Sequence, residues 1–166
     1  MKKSDDVVYE SIAVLAVHMP DAEEIPFEEN HEFIMEQYRK FLNECMRAMW
    51  RNNCRDIILY NNHIYGIYDC IHNKGGRELE TIGICISRQA QNFNSNVEGH
   101  YAEKLLCGIG IAAGQAARIL VKSSFPQNEM WMGHVFDKAY SMARMSVCDG
   151  RRRVFIDESI EDNMCR

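Results

Sequence analysis

Residues 130–144 read Met-Trp-Met-Gly-His-Val-Phe-Asp-Lys-Ala-Tyr-Ser-Met-Ala-Arg. Three large apolar residues precede Gly133 and predict a short strand, because such runs are typical of buried strands. The pattern after the glycine predicts a helix over about 135–147, ending before Gly150, since glycine commonly follows a helix C-terminus. The stretch is therefore a strand-to-helix corner.

Upstream of this corner, the sequence predicts alternating strands and helices. Helices are expected over about 28–50 and 78–93, where apolar residues recur every three or four positions. Asn61-Asn62 and Gly114-Gln115 are the expected turns of two hairpins. The expected strands are 11–17, 55–60, 64–68, 105–113, 117–122 and, after the corner, 154–156. This order predicts an α+β fold with a ferredoxin-like βαββαβ core, in which helices pack on one face of a mostly antiparallel sheet.

The composition fits one compact domain over 1–166. The chain has 166 residues, of which 46% are hydrophobic, and a net charge of -5, which gives no broad electrostatic case for binding nucleic acid. Its seven cysteines are spread singly, which argues against a disulfide framework and a structural zinc. The N-terminus lacks an apolar signal core, and no apolar run approaches the ~20 residues that span a bilayer. We expect a cytoplasmic protein without a membrane partner.

Four segments carry a resemblance to a known family. They are Ile-Ala-Val-Leu-Ala-Val-His-Met at 12–19, Asn-Asn-His-Ile-Tyr-Gly-Ile-Tyr at 61–68, Gly-Ile-Gly-Ile-Ala-Ala-Gly-Gln at 108–115, and the corner at Gly133. In this order and spacing they resemble the catalytic domain of class III adenylate/guanylate cyclases, in particular the short bacterial branch that includes pyrimidine cyclases of antiphage defence. The resemblance implies a single cyclase-homology domain. Family members usually continue into a further strand hairpin after the position of Glu158, so we expect a minimal form or a shortened chain.

The resemblance also implies which residues matter. In the family, two carboxylates hold two divalent cations, Mg²⁺ or Mn²⁺, which activate the ribose hydroxyl and clamp the triphosphate. An Asn and an Arg stabilise the transition state, and a Lys and an Asp select the base. All six positions differ in this chain: the metal positions map to His18 and Asn62, the base-selecting positions to Ile58 and Met130, and the transition-state positions to Asp137 and Ser141.

These replacements argue against turnover. Imidazole is a poor ligand for Mg²⁺, and a neutral amide does not offset metal charge. Asp137 would add negative charge beside a polyphosphate, and Arg144, three helix positions beyond Ser141, lies on a neighbouring line of side chains. We therefore predict a catalytically inactive protein that works by dimerisation, as a homodimer or with a related partner cyclase. Asp137 and Ser141 would face the partner's His18 and Asn62. No cofactor is expected, and Mg²⁺ or Mn²⁺ would be needed if the protein were active.

Two other functions stay open from the sequence. One is a sensor that binds a nucleotide or another small ligand in the vestigial cleft. The other is a divergent nucleotidyl cyclase with non-standard metal ligands, in which His18 and His63, with Asp21 near, would suit Zn²⁺ or Ni²⁺. The alternative to a metal site is that these histidines are neutral, hydrogen-bonded residues without a bound ion.

Overall fold

The computed structural model describes residues 7–20, 31–69, 76–99, 104–121, 128–149, 154–158 and 160. Within these ranges the chain forms six strands and three helices. In chain order they are β1 (Val7–His18), α1 (His31–Trp50), β2 (Asp56–Tyr60), β3 (His63–Asp69), α2 (Gly76–Val97), β4 (Gly108–Val121), β5 (Asn128–Met132), α3 (His134–Asp149) and β6 (Val154–Ile156).

The six strands form one mixed sheet. Its order is β2-β3-β1-β4-β5, with antiparallel neighbours throughout, and β6 pairs in parallel with the first half of β4. The elements from β1 to β4 give the strand order β2-β3-β1-β4, which is the arrangement of a ferredoxin-like core. The predicted α+β class and βαββαβ core are therefore confirmed.

The predicted hairpin at Gly114-Gln115 is wrong, because β4 is one continuous strand of 14 residues. Gly114 pairs with Ile12 and Gln115 with Ser11, so β4 follows β1 along its whole length. The glycine has another use in this strand. A Cβ at position 114 would lie 3.3 Å from Val135 Cβ, so the missing side chain leaves room for the start of α3.

The helices cover both faces of the sheet, and the prediction of a single covered face is wrong. Leu15 and Val17 belong to the core beneath α1 and α2, whereas Val14 and Ala16 belong to a second core with residues of α3. Every side chain from Ile12 to Val17 is buried. A strand that is apolar on both sides needs cover on both sides, which accounts for the third helix.

Other boundaries differ by a few residues. The Asn61-Asn62 hairpin is confirmed, and Asn61 has the positive φ, 49°, that such turns require. α2 continues past the predicted end at Phe93 to Val97. Within this extra turn, the Asn94 side chain accepts a hydrogen bond from the Leu105 N–H (2.7 Å) and donates one to its carbonyl oxygen (3.1 Å). The predicted helix start at 28–30 and the strand end at 122 lie outside the described residues.

Candidate functional site

The last residue of β1 and the first residue of β3 meet at one end of the sheet. His18 pairs directly with His63 across the two strands, and their rings stack at 4.9 Å between centroids with an angle of 17° between planes. The Met19 N–H donates a 3.0 Å hydrogen bond to the Asn62 carbonyl oxygen, which ties the hairpin turn to the end of β1. The two positions that the resemblance assigns to metal carboxylates are thus neighbours. The side chain beside His18 is that of His63, one residue beyond Asn62.

Tyr140 of α3 packs against this histidine pair. Its ring meets His18 edge-on at 5.2 Å and His63 at 4.6 Å. α3 lies this close because Gly108 and Gly110 of β4 leave the strand without side chains beneath it. A Cβ at position 110 would lie 2.1 Å from the Ala139 carbonyl oxygen. The chain therefore packs one of its own aromatic rings onto the imidazoles at the sheet end.

His18 is neutral in this environment. The side chain is 7% exposed, and its Nδ1 atom has no hydrogen-bond partner among the described residues. Burial, together with the nearby His63 and Arg144, lowers the pKa of His18 from its ordinary value of 6.5 to about 4. A buried imidazole next to a second imidazole and a guanidinium resists a further positive charge.

Asp137 and Ser141 lie on the side of α3 that faces away from the sheet. Both side chains are exposed, and the Asp137 carboxylate is 82% exposed and 3.7 Å from Nδ1 of His134. The Ser141 hydroxyl donates a 2.8 Å hydrogen bond to the Asp137 carbonyl oxygen, one turn earlier in the helix. α3 therefore presents Tyr140 to the sheet and these two side chains to solvent.

The two positions aligned with base selection do not meet in this chain. Ile58 of β2 packs against the core on the α3 side of the sheet. Met130 of β5 precedes Trp131, which belongs to that same core, so strand alternation places Met130 on the opposite side, where it is 47% exposed.

Trp131 is surrounded by a network of charged side chains that the sequence did not predict. Arg55 contacts Glu10 and Asp69, and Arg118 contacts Glu10 and Glu129. These side chains come from β1, β3, β4 and β5 and from the residue that precedes β2. The Trp131 ring lies 5.2 Å from the Arg55 guanidinium and 6.0 Å from that of Arg118. Its indole N–H donates a 3.0 Å hydrogen bond to Asp56. We call this group the Trp131 ladder: Glu10, Arg55, Asp56, Asp69, Arg118, Glu129 and Trp131.

The Trp131 ladder is an internal charge network. The hydrogen bond from Arg55 is the main cause that holds the pKa of Glu10 below its ordinary value, and Arg118 contributes to the same shift. The two arginines are 28% and 21% exposed, so they are partly shielded from water. The paired residues are up to 108 positions apart in the chain. No local pattern in the sequence therefore predicts these ion pairs.

The donors at the sheet end do not fit the divalent cations of the resembled family. His18 and His63 offer imidazole nitrogens, and Mg²⁺ and Mn²⁺ prefer carboxylate and carbonyl oxygens. In the part of the chain that the structure describes, no three His, Cys, Asp or Glu residues are grouped so as to hold a metal ion. Asp21, the third member of the alternative zinc or nickel site, lies outside the described residues.

Comparison with solved structures relates this architecture to known proteins. The guanylyl cyclase Cya2 superposes with a TM-score of 0.74 at 13% identity, covering 96% of this chain and 80% of that one. The adenylyl cyclase CyaB from P. aeruginosa gives 0.71 at 11% identity, covering 96% and 83%. The chain has the nucleotidyl cyclase fold. The resemblance to class III cyclases is thereby confirmed for the fold, which is what likeness at this level of identity establishes.

Two further solved structures, both of guanylyl cyclase domains, share this fold. The guanylate cyclase domain of RhGC from Catenaria anguillulae, in complex with GTP, matches with a TM-score of 0.66 at 13% identity over 95% of this chain and 84% of that one. The guanylyl cyclase domain of the RhoGC fusion protein from Blastocladiella emersonii, described as a non-canonical dimer, matches with a TM-score of 0.66 at 14% identity over 96% of this chain and 86% of that one. No protein-family model and no curated protein sequence gives a significant match. Among the described helices, none is long and apolar enough to cross a membrane.

Proposed function

We propose that this protein is a catalytically inactive cyclase-fold protein that acts by associating with a second cyclase fold. The observation that carries the proposal is the cluster of His18, His63 and Tyr140. At the sheet end where the resemblance puts two metal carboxylates, two stacked imidazoles lie under an aromatic ring of the same chain.

Electrostatics supports the inactive part of the proposal. Two divalent cations need anionic ligands to offset their charge, and neither His18 nor Asn62 is anionic at neutral pH. The buried His18 imidazole, whose pKa is lowered to about 4, brings no negative charge to this position. Asp137 would place a negative charge near a polyphosphate. Since loss of one well-placed electrostatic group typically reduces the rate by about 10²–10³, the combined replacements leave no detectable turnover.

The association part rests on the fold and on exposed positions. A solved neighbour with this fold is described as a non-canonical dimer. Asp137 and Ser141 are exposed on α3 and available to a second molecule. That they face the partner's His18 and Asn62 remains a prediction. The second molecule is another copy of this chain or a related cyclase.

A turnover assay tests the proposal. The purified protein is incubated with labelled ATP, GTP, CTP or UTP and with Mg²⁺ or Mn²⁺, alongside a cyclase of known activity. We expect no cyclic nucleotide from the protein. The double variant His18→Asp/His63→Asp, at the two positions whose side chains adjoin, should gain Mn²⁺ binding by calorimetry and still give no product, because Asp137 and Ser141 are unchanged.

The alternatives give different results in these assays. Robust cyclic-nucleotide production by the unmodified protein, abolished by His18→Ala, would identify a divergent cyclase and overturn the proposal. Stabilisation by a nucleotide in a thermal-shift assay without turnover would favour the sensor function, since a ligand that binds the folded state raises its stability by mass action.

A further inference from the structure

The ring of Tyr140 covers the imidazole pair of His18 and His63 but does not belong to the packed core. It meets the two imidazoles edge-on, at 5.2 Å and 4.6 Å between ring centroids. Neither of the two core clusters of the described residues includes Tyr140, and its side chain is partly exposed. The ring is therefore a cover at the margin of the fold, with one part in contact with the imidazoles and another in contact with solvent.

Other residues hold α3 on the sheet. Ala139 and Ala143 are fully buried in the core between this helix and the sheet. The Lys138 ammonium pairs with the buried carboxylate of Asp157, which follows β6. These contacts do not involve the ring of Tyr140, so a rotation of that side chain leaves the helix in its place. Rotation of a single side chain is also much faster than the collective movement of a helix.

The covered position has a hydrogen-bonding cost. Nδ1 of His18 is buried and has no hydrogen-bond partner among the described residues. A buried polar atom without a partner loses the hydration that it has in the unfolded chain. Water that reaches the imidazole when the ring of Tyr140 rotates out supplies a partner. The uncovered position thus regains part of what the lost ring contacts cost.

Arg144 stabilises the ring of Tyr140 in either position. Its guanidinium lies 5.8 Å from the ring centroid, and its side chain is exposed. The two residues are one turn apart on α3, so the long arginine side chain can stay over the ring as the ring moves toward solvent. The ring therefore keeps one of its partners when it leaves the histidines.

We propose that Tyr140 is a lid over the imidazole pair, which opens by side-chain rotation while α3 remains seated on the sheet. The closed position predominates, because the ring contacts both imidazoles there. The open position is a minor state of the folded protein, of the kind that is populated at about 0.1–10%. A small ligand that hydrogen-bonds to these imidazoles reaches them only through the open position. All contacts of the lid lie within one chain, so it does not depend on the association proposed above.

Carbethoxylation of the histidines by diethyl pyrocarbonate, followed for each histidine by mass spectrometry, tests the lid in the full chain. His134 is the internal reference, because its side chain is fully exposed. In the wild type, His18 should react about 10–1,000-fold more slowly than His134, which corresponds to the small open fraction. Because rotation of one ring exposes little surface, this rate should hardly change with urea below the unfolding transition.

Two substitutions of Tyr140 separate the ring from its hydroxyl group. Tyr140→Ala removes the lid and should raise the rate at His18 at least ~10-fold, the smallest protection that the open fraction allows, while the rate at His134 stays the same. Tyr140→Phe keeps the ring and should leave the rate at His18 near its wild-type value. Met145→Ala is the matched control, because Met145 lies on α3 and is 49% exposed. Circular dichroism verifies that each variant is folded.

Three results would overturn the lid. Equal rates at His18 and His134 in the wild type would show that the imidazoles are already open. A rate at His18 that rises with urea as steeply as global unfolding would show that only the unfolded chain reacts. An unchanged rate in Tyr140→Ala would show that another group covers His18. Nucleotide turnover would contradict the inactivity proposed above without bearing on the lid, so the two failures are distinguishable.

Discussion

Substitution of Gly110 by alanine should loosen α3 from the sheet. A Cβ at this position would lie 2.1 Å from the Ala139 carbonyl oxygen, 2.4 Å from the Ala143 backbone nitrogen and 2.7 Å from the Met142 Cβ. Two of these atoms belong to the helix backbone, so no side-chain rotation relieves the clash. α3 would have to move away by roughly 1 Å to restore ordinary contact distances, and the close packing of protein interiors opposes such a movement.

The structure also provides a control on the same strand. Gly114 lies on the same face of β4, but a Cβ there would meet only side-chain atoms, the nearest being Val135 Cβ at 3.3 Å. Gly114→Ala therefore adds a methyl group that a small side-chain adjustment accommodates. Replacing glycine in a strand also reduces the entropy of the unfolded chain, which offsets part of the cost.

The expected magnitudes differ clearly. Overpacking of a well-packed core destabilises by about 1–3 kcal/mol, and occasionally by more. Gly110→Ala should reach about 3 kcal/mol, whereas Gly114→Ala should stay within about 1 kcal/mol of wild type. For a chain of this size, 3 kcal/mol corresponds to a fall in Tm of roughly 6–12 °C.

Urea unfolding monitored by circular dichroism measures both free energies of unfolding, with an unchanged m-value as the sign that the same surface is exposed. In Gly110→Ala, the displacement of Tyr140 should also raise the reactivity of His18 toward diethyl pyrocarbonate. Equal effects of the two substitutions would refute the argument, because they would show that α3 does not lie directly over Gly110.

Three further predictions follow from the site and the Trp131 ladder. Because the pKa of His18 is lowered to about 4, the folded state holds this residue neutral, and the free energy of unfolding should fall as the pH decreases from about 6.5 toward 4. The loss should be at most about 2 kcal/mol between pH 7 and pH 5. Urea titrations should show a smaller acid sensitivity in His18→Phe, and the same pH dependence in both proteins would contradict the lowered pKa of His18. Trp131→Phe removes the indole N–H that Asp56 accepts and should destabilise by about 1–3 kcal/mol, whereas Tyr60→Phe, an exposed aromatic change, should have no measurable effect. The double variant of His18 and His63 to aspartate should bind Mn²⁺ without gaining turnover, and cyclic product from it would show that two metal ligands alone restore catalysis.

Much of the fold is predictable from the sequence because local signals decide it. Hydrophobic spacing predicts α1 and α2, and Asn61 of the first hairpin supplies a positive φ. The second predicted hairpin fails for a physical reason. Glycine in a strand has two common uses, a turn or the close approach of another element, and only tertiary structure distinguishes them. At Gly114 the second use applies.

The arrangement of the candidate site is only partly predictable. Alignment to the resembled family directs attention to Asp137 and Ser141, which are exposed, and passes over Tyr140, which lies between them in sequence and contacts the histidines. The side of α3 that faces the sheet can be predicted from the sequence, because Val135, Ala139 and Ala143 recur at helical spacing. The Trp131 ladder has no such signal, since its members come from distant segments.

The replacement of carboxylates by imidazoles changes what holds the sheet end together. Two carboxylates at neighbouring strand ends would repel each other unless cations lay between them. His18, whose pKa burial lowers to about 4, stacks its ring on His63 beneath Tyr140. The same strand ends therefore pack as part of the folded domain, with α3 seated on the sheet through Gly108 and Gly110. Under the proposed function, these contacts take the place of metal carboxylates at the sheet end, and the surfaces of the domain serve association.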